Sequence, residues 1–437
     1  MEWWIPLVIL LSGLLAALAL GIPVVFAFWI VITAGFFVYM GGFSGIPALI
    51  TSLRSSIAIF TITPVPFFII MGDVLFRAGI ASRMLNMMDL WLVRLPGRLS
   101  LVTVGMGTLF AALSGSSLGT TAMLTTMLEP DMRARGYHYS MIIGPIMASG
   151  MLAVIIPPSV LTVILGGLAG ISVGRLLIAG VIPGLLFAAF FALYVIGICT
   201  YKPSLAPPVD RVIPPLGQKL RQTGLSLLPA LFIIFLVLGT IFAGVCTPTE
   251  AAAIGASGTF VLAVIYRKLD WHLVKGCTMS AAKTTSLTLI IATGSIAFSQ
   301  LLSFTGATQG IMQVATTLPV APIVIVIATL VVLLILGCFI DQISMLMIGV
   351  PIFVPIATTL GFDPVWYGIL FLLAITLGYI TPPFGMLFFV VKGIIPGDIT
   401  MGMIYSSAVP YIWLGLIAMV LVIAFPPLAT WLPGFMD

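Results

Sequence analysis

The sequence predicts an all-α polytopic membrane protein. It reads as two inverted-topology repeats, each with five spans, a re-entrant helical hairpin and a helix broken by two prolines. Three observations predict this. Of the 437 residues, 61% are hydrophobic and 7% charged, more apolar surface than a water-soluble core can use. Two long apolar stretches are interrupted at their centres by small or polar residues. The prolines also recur at one offset: shifted by 225 positions, Pro23 falls on Pro248, Pro130 on Pro355, and Pro157 and Pro158 on Pro382 and Pro383.

The chain opens MEWWIPLVILLSG, without a basic leader or a small-residue cleavage site, and reads as a first span and not a removed signal. Ten apolar segments have the length that ~30 Å of hydrocarbon requires: 3–20, 22–41, 57–78, 141–168, 177–199, 225–245, 249–266, 285–304, 366–390 and 404–425. The stretches 99–127 and 321–358 are interrupted by LSGSSLGTT and GCFIDQIS. Each is too long for one span and too short for two, which suits a hairpin that enters and leaves on one side. Irregular backbone at such depth is tolerated only in protein or beside a wet cavity.

With both termini outside, fifteen of the seventeen Lys and Arg residues fall on the cytoplasmic side. No basic residue occurs between Thr284 and Val391. The positive-inside rule therefore places the first hairpin on the cytoplasmic side and the second on the outer side. A proline-rich basic stretch, YKPSLAPPVDRVIPPLGQKLRQTG, near the midpoint reads as a cytoplasmic linker. An odd number of spans in each half means that the second half is inverted. Inverted repeats with paired broken helices mark secondary transporters, with the site at the repeat interface.

A proline in a helix interior costs roughly 3 kcal/mol or more. A lone one can serve as a packing kink. Two adjacent prolines at matched positions in both repeats instead free carbonyls for a cation and leave half-helix N-termini for an anion. The first hairpin tip concentrates hydroxyls and glycines from Ser114 to Thr121, where backbone can approach an ion closely. Small residues there also suit tight helix packing. Ser116 aligns with Asp341 of the second tip. A carboxylate inside a membrane segment costs on the order of 2.5–3.5 kcal/mol, and no basic residue lies near Asp341 in sequence, so it is expected to face a cavity or a cation. Asp73, near the inner end of a span, and Glu250, which follows Thr247 and Pro248 at a helix start, are weaker candidates; Glu250 reads equally well as a cap.

The remaining chemistry is sparse. Cys199, Cys246, Cys277 and Cys338 are far apart and read as free buried thiols. The net charge of +5 is too small and scattered to suggest nucleic acid. Gly115-Ser116-Ser117-Leu118-Gly119 fits the G-x-S-x-G nucleophile pattern, but a nucleophile needs a base within reach. The two histidines, His138 and His272, fall in cytoplasmic loops, so no enzyme is expected. Two pseudo-symmetric sites argue for alternating access over a passive channel.

Taken together, these motifs resemble the large membrane subunit of tripartite ATP-independent periplasmic (TRAP) transporters. The matching segments, in the same order, are EPDMRARGY at 129–137, IIPPS at 155–159, TPTEAAA at 247–253, Ile340 with Asp341, and TPPFG at 381–385. The sequence departs from the family where Leu118-Gly119-Thr120 follows the serines, a place at which an acidic or amide residue is common. The resemblance implies an elevator-type ion-transporter fold in the bacterial inner membrane. Scaffold spans would lie in 1–95 and 225–320, transport elements in 96–200 and 321–437 with breaks at 155–159 and 380–385, and the linker at 201–224. It implies Na+ as coupling ion, held by Ser114, Ser116 and Ser117 with Pro157 and Pro158, and by Asp341 with Thr381, Pro382 and Gly385. The substrate positions it implies are Ser117, Thr120, Ser159, Asp341 and Gly385. The implied partners are a small four-helix membrane subunit, a periplasmic substrate-binding protein and a small carboxylate solute. With no basic residue in the predicted site, the anion is expected on hydroxyls, helix N-termini and the bound sodium. The alternative is a sodium- or proton-coupled anion carrier of the same architecture that works without a binding protein.

Overall fold

The computed structural model describes residues 2–57, 62–207, 215–383, 385–395 and 397–436. All regular structure among them is helical. The first half runs α1 (Trp4–Ala19), α2 (Val24–Tyr39), α3 (Gly45–Ile57), α4 (Pro64–Arg77), α5 (Ile80–Trp91), α6 (Arg98–Ser114), α7 (Ser117–Ala134), α8 (Tyr139–Ile155), α9 (Val160–Ala169), α10 (Val173–Ala179) and α11 (Val181–Tyr201). The second half runs α12 (Leu216–Ser226), α13 (Leu228–Phe242), α14 (Pro248–Ile265), α15 (Trp271–Phe304), α16 (Ala307–Thr317), α17 (Pro322–Gly337), α18 (Gln342–Thr359), α19 (Pro364–Gly378), α20 (Met386–Ile394), α21 (Met401–Ala424) and α22 (Pro427–Thr430).

The offset of 225 holds element by element. It carries α7 onto α18 end to end, α8 onto α19, and α9 onto α20 within a residue. It lays α3 and α4 together onto the single 34-residue α15. At ~1.5 Å per residue α15 is about 50 Å long, well beyond the ~30 Å hydrocarbon core. Its first half, with Lys275 and Lys283, therefore reaches past the membrane or runs obliquely in it.

Each expected span coincides with a helix, although residues 58–61 of the third lie outside the described residues. Six described helices are long and apolar enough to cross a bilayer, or nine if each bent pair counts once. The bends lie between α2 and the helix after it (119°), α4 and α5 (69°), and α12 and α13 (46°). Helices α3 and α5 after the first two bends, α12 before the third and α16 after α15 are amphipathic connectors that span length alone does not reveal. Part of the expected linker is thus helical, and its residues 208–214, Arg211 included, lie outside the described residues. Helix α12 lies along α5, where Trp91 Nε1 donates to Thr223 Oγ1 at 2.8 Å and Lys219 sits 5.8 Å from the Trp91 ring.

Both interrupted stretches fold as antiparallel hairpins. In the first, Leu99 N meets Tyr137 OH at 3.3 Å, Thr103 Oγ1 meets Met132 Sδ at 3.9 Å, and Ser114 Oγ meets Thr120 Oγ1 at 2.9 Å. The sequence positions of each pair sum to nearly the same value, which is the mark of two arms running back along each other. In the second, a Cβ on Gly337 would lie 3.2 Å from Met345 Sδ, and one on Gly349 3.0 Å from Leu333 Cδ2. That pairing makes α18 the return arm of a hairpin, although its hydropathy alone would pass for a span.

Helices α2, α3, α4, α13, α14 and α15 pack into one group, and α6–α9 with α17–α21 into another. The repeats interlock within the second group. The return arm of the first hairpin, α7, packs on α20 after the second break, and the return arm of the second, α18, packs on α9 after the first break. Tyr367, Tyr411 and Phe371 are fully buried at its centre. The large exposed residues, such as Phe26, Ile30, Phe232, Phe235 and Trp413, suit contact with lipid, which is as apolar as they are. Cys199, Cys277 and Cys338 are buried and Cys246 is half-buried, all four free.

Candidate functional site

The first tip is set by backbone chemistry. Helix α6 ends on Gly115, whose left-handed backbone (φ +57°) suits glycine. Ser116 then caps α7, accepting from Gly119 N at 3.2 Å. A Cβ on Gly115 would lie 2.9 Å from the Pro158 carbonyl oxygen and 3.1 Å from Val160 N, so the tip rests directly on the first double-proline break. There α8 ends at Ile155, the Pro157-Pro158 bond is cis, and the fully buried Ser159 caps α9 by accepting from Thr162 N at 3.3 Å. Thr162 Oγ1 reaches back to the Val154 carbonyl at 3.3 Å and satisfies an acceptor that the prolines left without its helical donor.

The second tip repeats the plan with different chemistry. Asp341 caps α18: its Oδ1 accepts from Ile343 N at 3.0 Å and Ser344 N at 3.1 Å, and its Oδ2 from the Ser344 hydroxyl. A Cβ on Gly337 or on Gly378 would lie 2.7 Å from the other's Cα, so hairpin and broken helix cross backbone to backbone just before Asp341 and Thr381. Past the crossing, Thr381 Oγ1 donates to Leu377 O at 2.7 Å, the Pro382-Pro383 bond is cis, and Tyr405 OH donates to Pro383 O at 2.8 Å. A Cβ on Gly385 would lie 2.7 Å from the Tyr379 carbonyl. Phe384 lies outside the described residues.

The predicted residues thus gather at two tip-on-break junctions, and most already have a local role. Ser116, Ser159 and Asp341 are helix caps, and Ser114 and Thr120 hold each other. Pro157, Pro158, Pro382 and Gly385 offer only backbone, and the Thr381 hydroxyl is turned back on its own helix. Ser117 differs: its residue is 5% exposed and its Oγ is buried without a hydrogen-bond partner. Among the described residues Asp341 makes no ion pair, so its carboxylate is balanced by helix N–H groups and a hydroxyl alone.

At the tips, two further residues share the condition of Ser117 and escape a reading from motifs. Thr121 Oγ1, one turn on, is buried and unpartnered, and a Cβ on Gly150 of α8 would lie 2.1 Å from it. The buried Gln342 Nε2 is unpartnered as well. The offset was the available signal, because 225 positions carry Ser117 onto Gln342. A buried donor or acceptor left unpaired costs about 1–3 kcal/mol, and three of them lie at the two tips.

The weaker candidates resolve as structural. Asp73 pairs with Arg77 one turn on, at 3.4 Å. Glu250 forms a capping box with Thr247, whose backbone N donates to Glu250 Oε2 at 2.8 Å. Neither histidine serves Ser117 as a base: His138 Nδ1 is engaged with Ser140 Oγ at 2.8 Å on an exposed turn, and His272 is exposed.

Two cavities lie along the seam between the helix groups and not at the tips. One of ≈ 200 Å³ is lined by Leu168, Ser295, Ser299, Gln300, Val350 and Pro355. The other, of ≈ 390 Å³, is lined by Pro64, Gly166, Gly170, Ser172, Thr247 and Pro248.

Comparison with known proteins adds to this geometry. The family model described as "Tripartite ATP-independent periplasmic transporter, DctM component" matches residues 11–428. The sialic acid TRAP transporter large permease protein SiaM of Vibrio cholerae is 31% identical over 96% of this chain and 97% of its own. The ectoine TRAP transporter large permease protein TeaC of Halomonas elongata is 30% identical over 97% and 98%. The solved structure of MtrF from Neisseria gonorrhoeae aligns with a TM-score of 0.61 at 15% identity, covering 86% of this chain and 83% of that one, a likeness of fold alone.

Proposed function

The chain belongs to the DctM-component family of tripartite ATP-independent periplasmic transporters, and from that membership we propose that it is the sodium-coupled, elevator-type permease for a small carboxylate. The observation that carries this reading is the pair of junctions in which each hairpin tip rests on a double-proline break, in two repeats sharing one register. In the proposal α6–α9 and α17–α21 move as a body against a scaffold of α2–α4 and α13–α15. A small four-helix membrane subunit braces the scaffold in the bacterial inner membrane. A periplasmic binding protein delivers the solute on the side of both termini.

Donor chemistry supports sodium. The junctions present carbonyls and hydroxyls, hard neutral oxygens suited to a small hard cation, with one carboxylate at the second. Ser114, Ser116 and Ser117 with the carbonyls of Pro157 and Pro158 would hold one ion. Asp341, with Thr381 and the carbonyls of Pro382 and Gly385, would hold another. Relatives named for sialic acid and for C4-dicarboxylates support an organic acid as cargo. Ser117, Thr120, Ser159 and the N-terminal turns of α7, α9 and α20 would receive its carboxylate beside the sodium, with no arginine in the site.

The test is thermal unfolding of the purified protein in NaCl against KCl at equal ionic strength. A ligand at a hundredfold excess over Kd stabilises the state that binds it by about 2.7 kcal/mol. A sodium-specific rise is expected, and Asp341→Asn, which keeps a good helix cap, should lose part of it. Identical curves in the two salts would overturn sodium coupling and leave Asp341 as the group to test for protons.

A further inference from the structure

The turn that closes α14 carries a side chain its backbone disfavours. Lys268 N donates to Ala263 O at 2.8 Å and Arg267 N to Val264 O at 2.9 Å, a helix closure whose left-handed position is ordinarily filled by glycine. Here that position is Arg267, with φ +55°, and among the described residues no other non-glycine residue has a positive φ. An L-residue strains the backbone there, so a guanidinium stands where local folding alone would place no side chain. Tyr266, one residue earlier, joins three segments. Its ring lies 4.8 Å from Arg83 Cζ of α5, and its hydroxyl donates to Leu225 O near the end of α12. Arg221 stands one turn before Leu225. Arg83, Arg221, Arg267 and Lys268 are all exposed, and among the described residues none of the four enters an ion pair. The acidic residues of the adjoining helices are engaged: Asp73 with Arg77, Asp89 with Arg98, and Asp270 with Leu273 N as the cap of α15, at 2.6 Å. On the last turns of α14, Val261, Val264 and Ile265 are more than half exposed, as is Leu225 of α12.

Cations without partners at the end of an exposed apolar strip complement a molecule with an anionic head and apolar tails. We infer that this corner binds the phosphate of an acidic phospholipid. The guanidinium groups of Arg83 and Arg267 donate to the phosphate oxygens, a geometry that the planar fork suits. Arg221 and Lys268 add charge, and the acyl chains lie along Val264 and Ile265. The positive-inside rule puts the site in the cytoplasmic leaflet, where acidic lipids attract such clusters. An acidic protein segment would match the cations but not the aliphatic strip that continues from them along a membrane-length helix. Basic residues that serve only to orient the chain need neither the Tyr266 platform nor an arginine in left-handed backbone. The inference requires nothing of the coupling ion or the cargo.

The test is the thermal unfolding midpoint of the purified full chain in detergent, with phosphatidylglycerol or phosphatidylcholine of the same acyl chains added at equal mole fraction. A ligand that binds the folded state raises the midpoint, and phosphatidylglycerol should raise it more than phosphatidylcholine does. Arg267→Gly is the informative variant, because it removes the charge and relieves the turn. Without lipid its midpoint should equal or exceed the parent's, while at least half of the phosphatidylglycerol-specific rise is lost. Arg83→Gln should lose a similar share, and Lys202→Gln, the same charge change on an exposed residue after α11, should lose none. Equal rises with the two lipids would overturn the inference. So would an equal loss from Lys202→Gln, which would mean a diffuse response to charge. The same rise with soluble glycerol phosphate would assign the corner to a free anion and overturn the lipid. A response that disappears when the small membrane subunit is added would assign the surface to that subunit, with the same consequence.

Discussion

Replacing Gly115 by alanine tests the contact that joins the first tip to the first break. The substitution has two separable costs. The left-handed backbone at φ +57° costs an L-residue roughly 1–2 kcal/mol. The added methyl would then sit 2.9 Å from the Pro158 oxygen and 3.1 Å from Val160 N, both backbone atoms that cannot swing aside, and overpacking of this kind costs about 1–3 kcal/mol more. Gly79 supplies the control, with φ +70° and no atom within 4 Å of its would-be Cβ. Gly79→Ala should therefore cost about 1–2 kcal/mol and Gly115→Ala about 2–5 kcal/mol. The assay is denaturant unfolding of the detergent-solubilised protein, with the sodium-dependent rise in midpoint measured on each variant. Gly79→Ala should keep the full sodium effect, and Gly115→Ala should lose most of it because the tip is pushed off the break. Equal costs for the two variants would refute the claim that tip and break are in backbone contact.

Other sites yield further outcomes. Arg98 Nε and Nη2 hold the two oxygens of Asp89, both at 2.5 Å, in a pair that is buried on both sides. Arg98→Ala should lower stability by about 3–5 kcal/mol by taking the guanidinium away from a buried carboxylate, and Arg98→Lys should restore only part of it because one ammonium cannot reproduce the two-pronged contact. Ser117→Ala removes a buried hydroxyl with no partner, so in KCl the variant should be at least as stable as the parent. In NaCl it should show a smaller rise, as unfolding in the two salts would reveal. The Arg133 guanidinium, hydrogen-bonded to Asp398 in the loop before α21, holds that carboxyl below its ordinary value. A depressed folded value means that the clamp is intact above the usual carboxylate range near pH ~4 and is lost as pH falls through the lower folded value. Protease nicking at residues 397–400 should therefore rise only in strong acid, and Asp398→Asn should show that nicking at neutral pH.

The sequence by itself determined the repeat, its offset, the limits of the second hairpin and the positions of both breaks; it ended the first hairpin at 127, whereas α7 runs on to Ala134. These features are written by proline and glycine, which act on the backbone where they stand, and by apolar runs whose length the bilayer dictates. The short connectors α3, α5, α12 and α16 were less legible, because mixed composition at a membrane surface gives no span-length signal and their helicity rests on neighbours such as Trp91 and Tyr266. Individual roles at the site were only half visible. A motif brings Ser116, Ser159 and Asp341 to notice but does not reveal that each caps a helix, nor that Thr121 and Gln342 are buried without partners. Tertiary structure alone decided that each hairpin's return arm crosses to the other repeat's broken helix, and which helices pack into each of the two groups. Those relations join residues tens to hundreds of positions apart, and two packings of one repeat can share every local preference. The choice between them is made by the whole interface, which no stretch of sequence encodes alone.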